Sequence, residues 1–178
     1  MKCLILFWSS GGNTQKVAQA IEKTINEQHI EVDTLRITEH LEINFDPYDL
    51  IFFGSPSYQW IPPEEVQHFI KRTLKRERHG VRPLGAPKRH RTFSIAFCTY
   101  SGVHTGEREG WTAGAYMAQF LEHMGCFVLD QWYTPGKFQG WEEGSLYGKM
   151  GDISQRPNEE DIRIIKMKTN EVLAGLVD

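Results

Sequence analysis

The sequence predicts an α/β protein with a doubly wound parallel sheet, and three observations predict it. Apolar runs of strand length recur along the 178 residues, the first being Cys3–Trp8. Between them lie segments whose apolar residues fall at i, i+3, i+4 and i+7, the spacing of one helix face. The first strand leads directly into Ser9-Ser10-Gly11-Gly12-Asn13-Thr14, a hydroxyl- and glycine-rich turn that opens a helix. Such a turn is an anion site, because the first amides of a helix lack internal partners and carry the positive end of its dipole.

The first helix is expected over Thr14–Asn26, with Val17, Ile21 and Ile25 on one face. Ile30–Ile37 alternates apolar and polar residues, as a half-exposed strand does. The polar connection Thr38–Asp46 has room for a short helix. Asp49–Phe53 reads as a central buried strand ended by Gly54-Ser55-Pro56, and the next helix starts at Pro62-Pro63-Glu64-Glu65. There proline is pre-shaped for a first turn, and the acids face the dipole. Val66, Phe69, Ile70 and Thr73 are its inward positions, and the glycines and prolines of residues 80–87 make the second half of the basic segment a loop.

Thr92–Thr99 is the fourth strand, Tyr100–Gly110 a loop, and Trp111–Met124 a helix leaving through Gly125. Cys126–Trp132 is the fifth strand. Residues 134–156, punctuated by Gly136, Gly140, Gly144, Gly148 and Gly151, read as a long ordered loop, because that much glycine disfavours a helix. Asn158 and the acids Glu159, Glu160 and Asp161 then open a last helix running through Ile165, Thr169, Val172 and Leu176.

Length and composition fit one domain over residues 1–178, with 40% apolar and 24% charged residues. No apolar run approaches the roughly 20 residues of a membrane helix, and the N-terminal run is too short for a signal peptide, so no membrane partner and a cytoplasmic location are expected. Cys3, Cys98 and Cys126 are far apart without C-x-x-C spacing, which points to buried thiols rather than a metal site or disulfides. The net charge of −3 is unevenly spread. Residues 71–91 hold nine Lys and Arg against Glu77, a balance of +8, leaving 11 basic and 22 acidic residues, or −11, elsewhere.

Residues 9–14 lack the Lys of a Walker A loop and the spacing of a dinucleotide fingerprint. They resemble the phosphate loop of the flavodoxin family, [ST]-x-T-G-N-T, with Ser9, Gly12, Asn13 and Thr14 matching and Gly11 standing where the family usually has Thr. The resemblance implies that Ser9, Ser10, Gly11, Gly12, Asn13 and Thr14 hold the phosphate of FMN by hydroxyls and amides, without a basic side chain. An ordinary turn and N-cap is the plainer reading of these residues. Gly54-Ser55-Pro56-Ser57-Tyr58-Gln59-Trp60 resembles the family's second flavin-contacting loop, G-[ST]-P-x-[YF]. Pro56, Ser57, Tyr58, Gln59 and Trp60 would then contact the ring, with Tyr58 and Trp60 stacking on it. Thr99, Tyr100, Ser101, Gly102 and Gly106 would cover the ring's pyrimidine edge. The implied fold is the three-layer flavodoxin-like one, a five-stranded parallel sheet in the order 2-1-3-4-5, with its ligand at the carboxyl ends of the strands.

The resemblance implies an FMN-binding redox protein that transfers electrons to a redox partner protein or a small-molecule electron acceptor, with no catalytic side chain required. One alternative is an NAD(P)H-dependent FMN oxidoreductase reducing quinones or similar acceptors. Another is a flavin-free binding module on the same fold. In flavodoxins a peptide flip in the second loop, helped by a glycine, stabilises one-electron-reduced flavin. Ser57–Trp60 contains no glycine, and positive φ elsewhere costs about 1 to 2 kcal/mol, which favours two-electron chemistry. His104 and His123 are candidates to assist proton transfer. The basic segment suits the phosphates of NADPH, an acidic redox partner or plain solvent, with nucleic acid last because no aromatics interleave it. Trp141 and Tyr147 would cover a neighbouring copy's flavin, in a homo-oligomer, or the chain's own.

Overall fold

A computed structural model describes residues 1–80 and 92–177; the loop expected within 81–91 lies outside the described residues. The strands are β1 (Lys2–Phe7), β2 (Glu31–Arg36), β3 (Leu50–Pro56), β4 (Phe93–Tyr100) and β5 (Phe127–Pro135). They pair in parallel in the order β2-β1-β3-β4-β5, as expected. The helices are α1 (Asn13–Glu27), α2 (Glu64–Gly80), α3 (Arg108–His123), α4 (Glu142–Tyr147) and α5 (Glu159–Val177).

Because strand side chains alternate, β1 sends Cys3, Ile5 and Phe7 to one face and Leu4 and Leu6 to the other. The first face packs on Val17, Ile21 and Ile25 of α1 and Ile165 and Leu173 of α5. The second packs on Val66, Phe69 and Ile70 of α2 and Met117, Phe120 and Leu121 of α3. Phe53, Phe69 and Phe120 meet there with ring centroids 5.4 to 6.3 Å apart. Each such fully buried side chain contributes about 1.5–3 kcal/mol. Burial on both faces explains why the central strands read as unbroken apolar runs.

Three segments differ from expectation. Thr38–Asp46 holds no helix. Ile37, Ile43, Phe45 and Tyr48, at spacings no single helix face matches, instead pin the connection beneath the α2/α3 layer. Residues 134–156 do contain a helix, α4, whose first turn carries Glu142 and Glu143. Gly140 and Gly151, with φ of 81° and 70°, lie outside it. Gly144 is inside because a Cβ there would lie 2.5 Å from Trp141. Finally, α3 begins at Arg108 rather than Trp111, and Gly110 in its first turn packs closely on Tyr133 and Tyr100.

The start of α5 follows its sequence signal. Asn158 Oδ1 accepts from the Asp161 amide at 3.1 Å, while Asp161 Oδ2 accepts from the Asn158 amide at 2.8 Å, a reciprocal cap. Arg156 pairs with the same buried carboxylate. Among the described residues no helix is long and apolar enough to cross a membrane. The three cysteines are buried, and none forms a disulfide.

Candidate functional site

At the carboxyl ends of β1, β3 and β4 the three connecting loops meet around a cavity of about 540 Å3. Its floor is the turn between β1 and α1. Gly12 is the N-cap of α1 at φ 90°, and no side chain caps the helix. Helical bonding begins with the Lys16 amide on the Gly12 carbonyl at 2.9 Å, so the amides of Asn13, Thr14 and Gln15 precede the first closed turn. An ordinary side-chain cap would have occupied them. Ser9 is buried and its Oγ accepts from the Gly12 amide at 3.0 Å, which fixes the turn's curvature. Thr14 is also buried, its hydroxyl 2.8 Å from that of Thr99.

The second loop is a tight antiparallel turn in which Tyr58 and Ile61 exchange backbone hydrogen bonds of 2.9 and 3.2 Å. Gln59 and Trp60 take φ of 49° and 70°. The expectation that a loop without glycine resists positive φ is overturned: the Tyr58–Ile61 pairing holds two consecutive residues there, at a cost of about 1–2 kcal/mol each. The turn keeps the aromatics outward, with Tyr58 43% and Trp60 61% exposed. Tyr58 also bonds Ser10 through the two hydroxyls and meets Trp8 edge-on at 6.0 Å.

The third loop is tied to the second by the Ser57 amide on the Thr99 carbonyl at 2.8 Å, and by the Ser57 hydroxyl donating to the Glu109 carbonyl. The carboxylate of Glu109 accepts from the amides of His104 and Thr105, both at 2.7 Å, so one side chain shapes the loop tip. Tyr100 lines the cavity from a buried position, and burial pushes its phenol up to about 12. It is therefore a neutral donor at physiological pH.

Every residue expected at the site lines this cavity except Gly12, Gly102 and Gly106. Those glycines form its turns. The Gly106 amide bonds the Gly102 carbonyl at 3.0 Å, and a Cβ on Gly102 would lie 2.9 Å from the Gly106 backbone. His104 lines the cavity. His123 ends α3, a helix of 16 residues and so about 24 Å long, and is no part of the site.

Sequence reasoning missed Glu109, Lys137, Phe138 and Gln139, which also line the cavity. The last three form a strap beyond β5 that folds onto the first loop. Asn13 Nδ2 donates to the Lys137 carbonyl at 2.8 Å, and Gln139 Nε2 to the Gly11 carbonyl at 3.2 Å. A Cβ on Gly11 would lie 2.3 Å from Gln139 Cδ. A Thr at Gly11 would require the exposed Gln139 side chain to move aside, so the departure from the family pattern leaves room for this strap residue. The Lys137 amide bonds the Arg156 carbonyl at 2.8 Å and the Phe138 amide the Ser145 hydroxyl at 3.0 Å, anchoring the strap. Trp141 packs on Phe138 at 5.4 Å and lies 6.3 Å from His104, so within this chain it braces the strap over its own cavity. Of the basic segment 71–91, read as a helix end followed by a loop, Lys71, Arg72, Lys75 and Arg76 sit on α2, and none of them lines this cavity.

A sheet of this order, with an uncapped helix start after β1 and two loops converging over it, defines a flavodoxin-like α/β protein. A family profile described as a flavodoxin domain matches residues 4–126, more than half of the chain. The chain belongs to the flavodoxin family. Among curated proteins none matches it. Similar solved structures include oxidised Flavodoxin 1 from Bacillus cereus, 16% identical over 98% of this chain and 98% of that chain, with a TM-score of 0.69. A flavodoxin from the domain Archaea is 16% identical over 100% of both chains, at 0.65. The WrbA-like flavodoxin of Agrobacterium tumefaciens is 13% identical over 98% of this chain and 96% of that one, at 0.64. At such identities the likeness shows the fold.

Proposed function

We propose that this chain binds FMN and acts as a flavodoxin-type redox protein, passing electrons to a redox partner protein or a small-molecule acceptor. One observation carries the reading: the open amides of α1, the hydroxyls of Ser9, Ser10 and Thr14, and the exposed rings of Tyr58 and Trp60 converge on one cavity from separate loops. Its volume of about 540 Å3 lies in the usual range for cofactor pockets.

The residues fit the group. The amides of Asn13 and Thr14, with Gly11, Gly12 and the nearby hydroxyls, suit a phosphate. Tyr58 and Trp60 offer flat faces for a ring, with Pro56, Ser57 and Gln59 shaping that wall. Thr99, Tyr100 and Ser101 offer amides and hydroxyls to a polar ring edge, while Gly102 and Gly106 give their loop its turn. When bound, FMN supplies a ring that accepts and releases electrons singly or in pairs. Lys137 adds a cation that the first loop lacks, Gln139 shields the phosphate end from water, and Glu109 fixes the third loop. A cytoplasmic setting is proposed with this function, in keeping with buried cysteines that form no disulfide.

The missing glycine no longer argues for two-electron chemistry, because Gln59 and Trp60 already hold positive φ. The second reading, an NAD(P)H-dependent FMN oxidoreductase with quinone-like acceptors, is favoured by a separate observation, the cationic groove described below. The test is flavin absorbance of the purified protein, followed by anaerobic mixing with NADH or NADPH and by stepwise reduction. One-electron-reduced flavin that persists, without bleaching by either nucleotide, supports the carrier. Rapid bleaching supports the oxidoreductase. A protein that neither carries nor takes up FMN overturns both and leaves a flavin-free module.

A further inference from the structure

We propose that the groove between the carboxyl end of β2 and helix α2 is a nucleotide-binding site, distinct from the flavin cavity and sharing a wall with it. The proposal does not rest on the flavin reading, because occupancy of the groove is measurable without flavin. The groove encloses about 830 Å3, space for a small organic ligand rather than a single ion.

Three permanent cations face it from two elements: Arg36 at the end of β2, and Lys71 and Arg72 on α2. Among the described residues none of the three forms an ion pair, in contrast with Lys2, which pairs with Glu31 and Asp33, and Arg163, which pairs with Glu160. Arg36 uses Nη2 on the Ser9 carbonyl at 2.6 Å, and Arg72 touches the Thr38 carbonyl at 3.4 Å, so each keeps further donors for a ligand. With Glu39 and Glu65 in the same groove the formal balance is +1, and the unpaired donors of Arg36, Lys71 and Arg72 favour an anion in a chain that is strongly acidic outside residues 71–91.

Two carboxylates decide what the anion belongs to. Glu39 and Glu65 also line the groove, and neither pairs with its cations. They repel the acidic surface of a protein, but they accept hydrogen bonds from the hydroxyls a nucleotide leaves free on its ribose, the 3′-hydroxyl where a phosphate on the 2′ position faces the cations. Glu65, His68 and Arg72 share one face of α2 at i, i+3 and i+7, so acceptors and cations stand side by side. The indole of Trp8 lines the same groove, an aromatic group of the kind on which a base stacks. Cations for phosphate, carboxylates for sugar and an indole for a base make the set a nucleotide requires.

The shared wall gives the site a consequence. Trp8 meets Tyr58 of the second loop edge-on at 6.0 Å, and Arg36 holds the Ser9 carbonyl of the first loop. A ligand in the groove therefore touches residues that position both loops of the neighbouring cavity.

The test titrates the full chain, with and without added FMN, with 2′,5′-ADP, NADP+ and inorganic pyrophosphate, followed by calorimetry and tryptophan fluorescence. Saturable binding of 2′,5′-ADP or NADP+, at least tenfold tighter than pyrophosphate and retained with FMN present, is expected. The exposed double substitution Lys71→Glu, Arg72→Glu should weaken it at least tenfold, with an unchanged thermal midpoint. NADP+ binding tenfold tighter than 2′,5′-ADP identifies a dinucleotide, and equal affinities identify a mononucleotide; both support the site. Absence of saturable binding, equal binding by the double variant, loss of binding when FMN is added, or pyrophosphate binding as tightly as the nucleotides overturns it. A nucleotide that binds while FMN does not would uphold this site and refute the flavin reading.

Discussion

Replacing Lys137 by Gln tests how the cavity holds an anion. The Lys137 carbonyl accepts from Asn13 at 2.8 Å, which sets the residue against the first turn of α1, and its side chain lines the cavity. Two unit charges about 4 Å apart interact by about 1 kcal/mol in bulk water and about 4 at an effective dielectric of 20. Lys137 is exposed, so its contribution belongs near the lower figure. A loss of about 1–2 kcal/mol, or roughly five- to thirtyfold in the Kd for FMN, follows. Riboflavin has the same ring and no phosphate, and its affinity should not change. Screening shortens from about 10 Å at 0.1 M salt to about 3 Å at 1 M, so the gap between wild type and variant should nearly close at high salt. Quenching of flavin fluorescence measures all three quantities. Equal FMN affinity of variant and wild type at low salt, or an equal loss for riboflavin, would refute the reasoning.

Three further substitutions probe the frame around the cavity. Gly54→Ala puts a Cβ about 2.0 Å from the ring of Phe97, itself 1% exposed; overpacking should cost about 1–3 kcal/mol and lower the thermal midpoint in a melting experiment. Gln59 has φ 49°, so Gln59→Gly should stabilise the fold by about 0.5 kcal/mol after its own entropy cost and raise the midpoint slightly. Gln59→Val, β-branched in the same conformation, should lower it; identical midpoints for the two would contradict a left-handed residue. Asp33 is held below the usual carboxylate range by the Tyr48 hydroxyl at 2.8 Å and then by Lys2 at 3.0 Å. Because its folded pKa is depressed, its contribution is present above about pH 3.9 and is lost as pH falls through the folded value. Asp33→Asn should flatten the acid limb of a urea-midpoint profile there, and an unchanged limb would count against the pairing.

The parts of the site that were legible in the sequence are those contiguous with a strand end. Ser9–Thr14 and Pro56–Trp60 carry their chemistry in a few consecutive residues, and the chain direction alone brings them to one edge of the sheet. Lys137 and Gln139 were not legible, because they meet Asn13 and Gly11 across 124 and 128 residues. No local periodicity reports such a contact. Gln59-Trp60 is not turn chemistry by composition, and its turn is imposed by the pairing of Tyr58 with Ile61. Over residues 134–156 the glycine count missed only the short helix α4, which holds Gly144 alone of the five glycines. The central strands were legible because both of their faces are buried, so β1 and β3 read as unbroken apolar blocks, while the edge strand β2 is only partly buried.

The strap also orders events in time. Residues 9–14 leave the ribosome early, yet the peptide that closes over them is made only after β5, and its anchor at Arg156 later still. A nascent chain thus carries the turn of residues 9–14 without its covering strap through most of its synthesis. If FMN binds as proposed, loading falls to the released polypeptide, and a chain cut short before the strap keeps its sheet residues but loses the contacts of Lys137 and Gln139 to the first loop.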